Sequence, residues 1–455
     1  MLSTNRRHRA VIGVAFFPRG GSSHVIRGLA GALPGHGWDV TLVSGSQAGH
    51  GDAHRFYDPL DVHAVELGSH QASYEDRPDA PDRVFAALDD DAFERQVALW
   101  SEALERAGAA EADLLHLHHL TPLHEAAARV APGVPIVGHL HGTELLMLET
   151  IADGAPASWA YAERWAERMR GWAERCERTI VLTERQRPRV ERLLGAEVAD
   201  RCVAIPNGVD PARFAHVDLD RRAHWHRHLV EQPRGWRPGE EEGSVSYGEG
   251  DLAAFDGDGP VLLYVGRFTE VKRVGLLIRA FARAQRRFAT RTPLVLIGGH
   301  PGEWEGEHPL DAIAASGARD VFLAGWQDHD RLPAFLAAGD AIVLPSVREQ
   351  FGSVLVEGMA CGLPAIAVDA MGPGEIVKPG ESGWLVPPDD EEALAEALVE
   401  VVNEPAERSR RGRFARVDVV ARYGRDAAAA RVAATYAAAS SADATPSGAP
   451  AVAPS

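Results

Sequence analysis

Lysine is nearly absent from this chain. All 47 basic residues except Lys272 and Lys378 are arginine. Arginine is no substitute where a compact point charge is needed, so a lysine that persists here marks a position to examine. Cysteine is scarce as well. Cys176, Cys202 and Cys361 are odd in number, far apart and without C-x-x-C spacing. That excludes a disulfide framework and a thiolate zinc site, and it fits a reducing compartment. No run of about 18 apolar residues occurs, so neither a membrane span nor stable membrane insertion is expected. Arg6, Arg7 and Arg9 precede the apolar run A-V-I-G-V-A-F-F. Pro18-Arg19-Gly20-Gly21 then stands where a leader peptide would need its small-residue cleavage site. The expected location is cytoplasmic. Net positive charge is missing too: the formal charge is −18, which argues against nucleic acid as a partner. No G-x-G-x-x-G follows a strand-like run, which excludes a dinucleotide dehydrogenase.

What the chain does have is alternation. Strand-like runs at 10–17, 38–44, 114–118, 135–139, 179–183 and 203–205 are separated by helical patterns. The rhythm restarts with 261–265, 294–297, 321–324, 341–345 and 365–368, and a helix is predicted over 272–288. This is an α/β pattern of two doubly wound, Rossmann-like halves. The expected domains are 1–204 and 205–425, with a helix near 426–438 returning to the first. The stretch 218–259 breaks the rhythm and reads as an insertion, partly ordered at best. The tail 440–455 reads as disordered.

In an open parallel sheet, ligands bind beyond the carboxyl ends of the strands. Arg267 and Lys272 follow one such end. Together they offer a planar fork and a point charge to an anion such as a diphosphate. Cations at a helix start are otherwise disfavoured by the helix dipole. The stretch E-Q-F-G-S-V-L-V-E-G-M-A-C-G-L-P follows another strand end, with Glu349 in the loop and Glu357 about one turn into the next helix. The amides of Phe351, Gly352, Ser353 and Val354 would form an anion-binding helix start. Glu357 has Val354 three residues before it, so no capping box explains it. Ser353 and Cys361, four residues away on either side, offer no helical ion pair. Hydroxyl recognition suits it, with a tertiary ion pair as the alternative.

These segments resemble the E-x7-E signature and companion motifs of family-4 retaining glycosyltransferases. The companions are V-G-R-F-T-E-V-K-R, I-P-N-G-V-D-P-A-R-F, F-F-P-R-G-G-S-S-H, D-L-L-H-L-H-H and H-L-H-G-T-E. The likeness runs from about Val11 to about Tyr436, outside the insertion. It implies the GT-B fold, in which two Rossmann-like domains face each other across a cleft. Arg267 and Lys272 would hold the donor diphosphate, Glu349 the transferred sugar and Glu357 the ribose. Gly20 and Gly21 would let the first loop approach the phosphates. His141 would lie near the sugar, Asn207 at the hinge, and Gly325 and Trp326 at the nucleobase. The implied co-substrate is a nucleotide-diphosphate sugar, UDP- or GDP-linked, with no cofactor and no metal. The acceptor would be a glycan, a small molecule or a lipid.

Rival signals exist. Among the D-x-D patterns, only Asp328/Asp330 follows a strand end, and an acid there would cap the helix running to Ala338. His116 and His118 share a strand face, with His119 turned away, and packing or site lining is expected of them. The stripe Tyr161, Trp165, Met169 and Trp172 reads as core. Alternatives to transfer are hydrolysis, epimerisation or phosphorolysis of the same donor, or non-catalytic nucleotide-sugar binding.

Overall fold

The computed structural model describes residues 7–18, 20–47, 51–75 and 82–442. The expected disordered tail lies outside these from residue 443 onward. Ser440 and Ser441 belong to the final helix, Arg425–Ala442. The chain divides into two compact units, Met1–Gly208 with Arg425–Ser455, and Val209–Gly424.

The first unit holds β1 (His8–Val14), β2 (Trp38–Ser46), β3 (Asp61–Glu66), β4 (Leu114–His118), β5 (Ile136–His139), β6 (Arg178–Val181) and β7 (Cys202–Ala204). They form one parallel sheet in the order β3-β2-β1-β4-β5-β6-β7. Both faces are covered, so inner strands such as β4 are buried along their whole length. The final helix packs in this unit beside the helix Gly21–Ala32. Its Tyr436 is fully buried, with the Trp38 ring edge-on at 4.9 Å. On the helix Ala162–Glu174, Trp165, Met169 and Trp172 lie in the core, as their spacing predicts.

The second unit repeats the plan with β8 (Leu262–Val265), β9 (Leu294–Ile297), β10 (Val321–Gly325), β11 (Ala341–Leu344), β12 (Ala365–Val368) and β13 (Gly383–Val386). Their order is β10-β9-β8-β11-β12-β13. In both units the order reverses beside the first strand, which places a crevice at the carboxyl ends of β1 and β8. The sequence pattern does not reveal β3 or β13. Each is an edge strand, paired on one side only, and β3 (D-V-H-A-V-E) mixes polar and apolar residues instead of forming the unbroken run that marks an inner strand.

The segment 218–259 is a correction. Its polar composition predicts partial order, but the structure shows a helix at Arg221–His226, a wide turn at Arg227–Glu231 and a short helix at Asp251–Phe255. Four side chains explain the difference: Trp225, Leu229, Trp236 and Phe255 are all buried. Trp225 stacks near Phe255 at 5.6 Å and donates its indole N–H to the Ala338 carbonyl at 3.3 Å. A few large aromatic residues bury enough area to order a segment whose average composition is polar.

Candidate functional site

In the second unit the loops after β8 and β11 are tied together. The Val271 carbonyl accepts from the Val347 amide at 3.0 Å and the Ser346 hydroxyl at 3.2 Å. Lys272 closes a short turn after β8, and Arg273 follows in the left-handed region at φ 55°. That strained residue separates Lys272 from the helix, which therefore starts at Val274 rather than at the expected 272. The Lys272 ammonium meets the Glu349 carboxylate, and each side chain is 19% exposed. Arg267 is exposed at the same strand end. Its carbonyl accepts the Tyr264 hydroxyl at 2.7 Å. Burial, with Glu349 adding to it, pushes the Tyr264 phenol far above its ordinary value, so Tyr264 stays a neutral donor.

Gly352 turns the chain from the Glu349 loop into the helix Ser353–Ala360. It adopts φ 101°, a left-handed conformation that glycine tolerates at no steric cost. Phe351 is buried, and the Leu355 amide is already bonded to the Gly352 carbonyl at 2.9 Å. The remaining amides of the first turn point along the helix axis, where a helix start favours an anion. Lys272, Glu349 and this helix start therefore meet in one place.

Glu357 has a tertiary partner that the sequence did not show. Its Oε1 lies 2.7 Å from His329 Nε2. Arg213, which can only donate, lies 3.1 Å from His329 Nδ1. The two protons of Arg213 Nη2 have shorter acceptors in the His329 carbonyl at 2.6 Å and Asp330 at 2.8 Å, and it is the Glu357 carboxylate, which can only accept, that places the proton on Nε2. The alternative of a tertiary contact for Glu357 is thus realised, although through a histidine. The expected cap is corrected as well. The helix Leu332–Ala337 has Arg331 at its N-cap and no side-chain cap bond, and Asp330 instead pairs with Arg213 at 2.8 Å. Arg213 draws Asp330 away from the helix end. Trp326 stands just after β10, and Gly325 is that strand's last residue.

In the first unit, His116, His118, His139 and His141 form a buried column of stacked rings. Adjacent centroids lie 4.4–5.3 Å apart. His116 Nδ1 is 2.6 Å from the Tyr436 hydroxyl, and its Nε2 is 3.2 Å from His139 Nδ1. His118 Nδ1 is 2.8 Å from His141 Nε2. Nitrogens of His116, His118 and His139 lie within 4.8 Å of one another. His116 and His139 are near parallel at 10°, while His118 is tilted 35° to His116. Burial drives all four well below the ordinary imidazole value, His116 to about 3, so the column is neutral.

Glu144 is the residue in this unit that the sequence did not single out. It is fully buried, and it accepts the His141 amide at 2.7 Å and the Thr143 hydroxyl at 3.2 Å. His119, left-handed at φ 63°, lies 3.3 Å from it. Burial pushes Glu144 up, but its electrostatic contact and hydrogen bond with His119 and the backbone amides of Glu144 and His141 bring it below the usual carboxylate range. The charged carboxylate thereby fixes the H-G-T-E loop and His141 with it. Gly20 caps the helix Gly21–Ala32, and a Cβ on Gly20 or Gly21 would meet nothing within 4 Å. The protein's own packing does not require these two glycines. Asn207 is buried just before the end of this part of the unit.

Comparison with known proteins bears on both units. Residues 19–213 match the family model described as Glycosyltransferase Family 4, and residues 253–418 match Glycosyl transferases group 1. Residues 214–252 fall outside both matches. Alpha-D-kanosaminyltransferase of Streptomyces kanamyceticus is 28% identical over 313 residues, covering 67% of this chain and 70% of that one. D-inositol 3-phosphate glycosyltransferase of Rhodococcus opacus is 29% identical over 303 residues, covering 65% and 60%. This chain spans 63% of the matched glycogen synthases of Mycobacterium tuberculosis. Among solved structures, sucrose-phosphate synthase of Thermosynechococcus elongatus superposes with a TM-score of 0.66 at 22% identity, over 96% of this chain and 100% of that one. Anabaena Alr3699/HepE in complex with UDP and glucose gives 0.65 at 17% identity, over 94% and 99%. At these identities the structural likeness establishes the fold. Two consecutive matches to one enzyme family, carried on two parallel-sheet units, place the chain in that family: it belongs to the family-4, group 1 glycosyltransferases of GT-B fold.

Proposed function

We propose that this chain is a retaining, metal-independent glycosyltransferase that moves a hexose from a nucleotide-diphosphate sugar to a glycan, small-molecule or lipid acceptor. The observation that carries the reading is the meeting of Lys272, Glu349 and the Ser353–Ala360 helix start beside Arg267, at the carboxyl ends of β8 and β11. Breaking a sugar–phosphate bond builds negative charge on the departing diphosphate. Arg267, Lys272 and the amides of Phe351–Val354 are fixed positive groups that would take up that charge. Each such preorganised donor is worth about 3 kcal/mol of barrier. Glu349 would shift from Lys272 to the hydroxyls of the sugar, and Glu357 would bind the ribose. His141, held by Glu144 and His118, is the first unit's candidate for contact with the sugar, with Gly20, Gly21 and Asn207 as further candidates. Family membership supports retention, and the site offers no obvious glycosyl-accepting nucleophile. Transfer is therefore assigned without a covalent sugar–enzyme intermediate.

The structural relative crystallised with UDP and glucose makes a UDP-sugar the first donor to try, followed by GDP-sugars. A thermal-shift panel of UDP, GDP, ADP and their sugars tests the reading, because a ligand bound only by the folded state raises the melting temperature. One nucleotide should stand out, and its sugar should turn over equally with and without excess EDTA. The reading is wrong if no nucleotide shifts the melt, and its metal-free part is wrong if EDTA stops turnover.

A further inference from the structure

Three buried histidines of the first unit stand close enough together to share an ion. Nitrogens of His116 and His118, on β4, and of His139, the last residue of β5, lie within 4.8 Å of one another, the one such trio among the described residues. None of the three is more than 3% exposed. His116 Nε2 and His139 Nδ1 are 3.2 Å apart. Two nitrogens each about 2.0–2.1 Å from one ion, at the tetrahedral angle, stand about 3.3–3.4 Å apart. This pair is therefore already at ligand spacing.

A hydrogen bond explains that pair equally well, but it does not explain His118. The His118 Nδ1 is 2.8 Å from His141 Nε2, and its Nε2 is buried with no hydrogen-bond partner among the described residues. Whichever nitrogen carries the proton, Nε2 is left as an unmet donor or an unmet lone pair, which burial makes costly. A second proton does not fill the gap, because burial keeps this ring neutral. Neutral imidazole is the form that binds a metal.

The outer partners fit the same reading. A ligating histidine normally gives its other N–H to a hydrogen-bond acceptor, which fixes the tautomer. His116 Nδ1 has the Tyr436 hydroxyl at 2.6 Å, and His118 Nδ1 has His141 Nε2. With the protons on Nδ1, both rings keep an Nε2 lone pair. A cation in a core also needs negative charge nearby. Glu144 is fully buried and accepts the amide of His141, the same residue whose ring meets His118. Imidazole donors without thiolate suit first-row ions such as zinc, copper, iron and nickel.

We propose that His116, His118 and His139 hold one first-row divalent ion, zinc foremost, in the core of the first unit. The ion ties β4 to β5 and, through Tyr436, to the final helix. His118 turns its ring toward the other two to complete the set. The packing expected of His116 and His118 becomes ligation. This ion is structural and takes no part in the donor chemistry assigned to the second unit. Its ligands are buried, so a chelator added during a turnover assay leaves the rate unchanged.

The test is metal analysis of the full chain produced with zinc or cobalt in the medium and desalted against EDTA. About one ion per chain should remain, and the cobalt form should show the visible absorption of a four-coordinate ion. His118→Gln should retain less than about a tenth of it, because a primary ligand is lost. Tyr436→Phe should bind the ion about tenfold more weakly in overnight competition with a chelator, the usual effect of losing an outer partner. His124→Leu, which removes a buried histidine outside the trio, should keep the full ion. Tyr436→Phe carries the comparison if His118→Gln fails to fold. A parent chain that retains no ion overturns the proposal. So does an ion held equally by the parent and by Tyr436→Phe or His118→Gln, which would place it elsewhere on the chain.

Discussion

The ammonium of Lys272 is ion-paired with Glu349, 77 residues further along the chain. The other lysine, Lys378, is also paired, at 2.6 Å with Asp418, which also receives Arg422 Nε at 2.9 Å. The two pairs differ in their setting. Asp418 is buried and shared on a helix, a structural arrangement, whereas Glu349 faces a helix start that attracts anions. An arriving diphosphate must compete with Glu349 for Lys272. Glu349→Gln should therefore bind UDP a few-fold more tightly while turnover falls at least tenfold, because the sugar loses a contact. Lys272→Ala should lower turnover about a hundredfold, or ~3 kcal/mol of barrier. Titration and initial rates on both variants check this. Equal affinity and equal rate in both would remove the pair from the mechanism.

Glu357 offers a second and separable test. A hydrogen bond from a ribose hydroxyl to a charged acceptor is worth about 1.5–3 kcal/mol. Glu357→Gln should then raise the Kd for the preferred nucleoside diphosphate about tenfold or more. Inorganic pyrophosphate, which has no ribose, should bind as before. An equal loss for both ligands would mean that Glu357 supports the phosphate site instead, through His329 or the helix.

The contrast between Glu357 and His329 shows how far the sequence could be read. Glu357 stands out by local elimination, because capping and helical ion pairs are decided by residues three and four positions away. His329 comes from another loop, and nothing in D-H-D says that its ring turns toward a helix 28 residues later. Glu144 was equally hidden, because its role depends on a buried histidine that a left-handed backbone turns toward it. Inner strands such as Leu294–Ile297 and Ala365–Val368 were legible to the residue, because burial on two faces demands an unbroken apolar run. The edge strand Asp61–Glu66, which alternates polar and apolar residues, and the 218–259 segment carry no such pattern. Their order comes from single large residues and from partners remote in sequence.

The 218–259 segment can be tested for its contribution to stability. Trp225 is fully buried against Phe255 and Phe335, with its indole bonded to the Ala338 carbonyl. Truncating a buried tryptophan typically costs about 3–5 kcal/mol through lost transfer energy and the cavity left behind. Trp225→Ala should lower the urea midpoint of the second unit accordingly, and proteolysis should cut first within 218–259. An unchanged midpoint would mean that the segment packs without stabilising the sheet it covers.

The buried histidines predict how the fold responds to acid. Burial holds His116 and His124 at about 3 and drives His118, His139 and His141 well below the ordinary 6.5. Unfolded, these side chains protonate near 6.5, while in the fold they stay neutral. Between those limits the unfolded chain binds more protons, so stability falls as pH falls. Their contribution is complete above pH 6.5 and is lost progressively from there toward pH 3. Each such histidine contributes a slope of about 1.4 kcal/mol per pH unit once the unfolded form is charged. His124 lies outside the stacked column, against Trp172 at 6.1 Å, so it can be changed without disturbing His141. His124→Leu should therefore flatten the dependence of unfolding free energy on pH by ~1.4 kcal/mol per unit between pH 5.5 and 4.5. Urea unfolding of parent and variant at those two pH values measures that slope. Parallel lines would mean that His124 is already charged in the fold, in conflict with its burial beside Trp172.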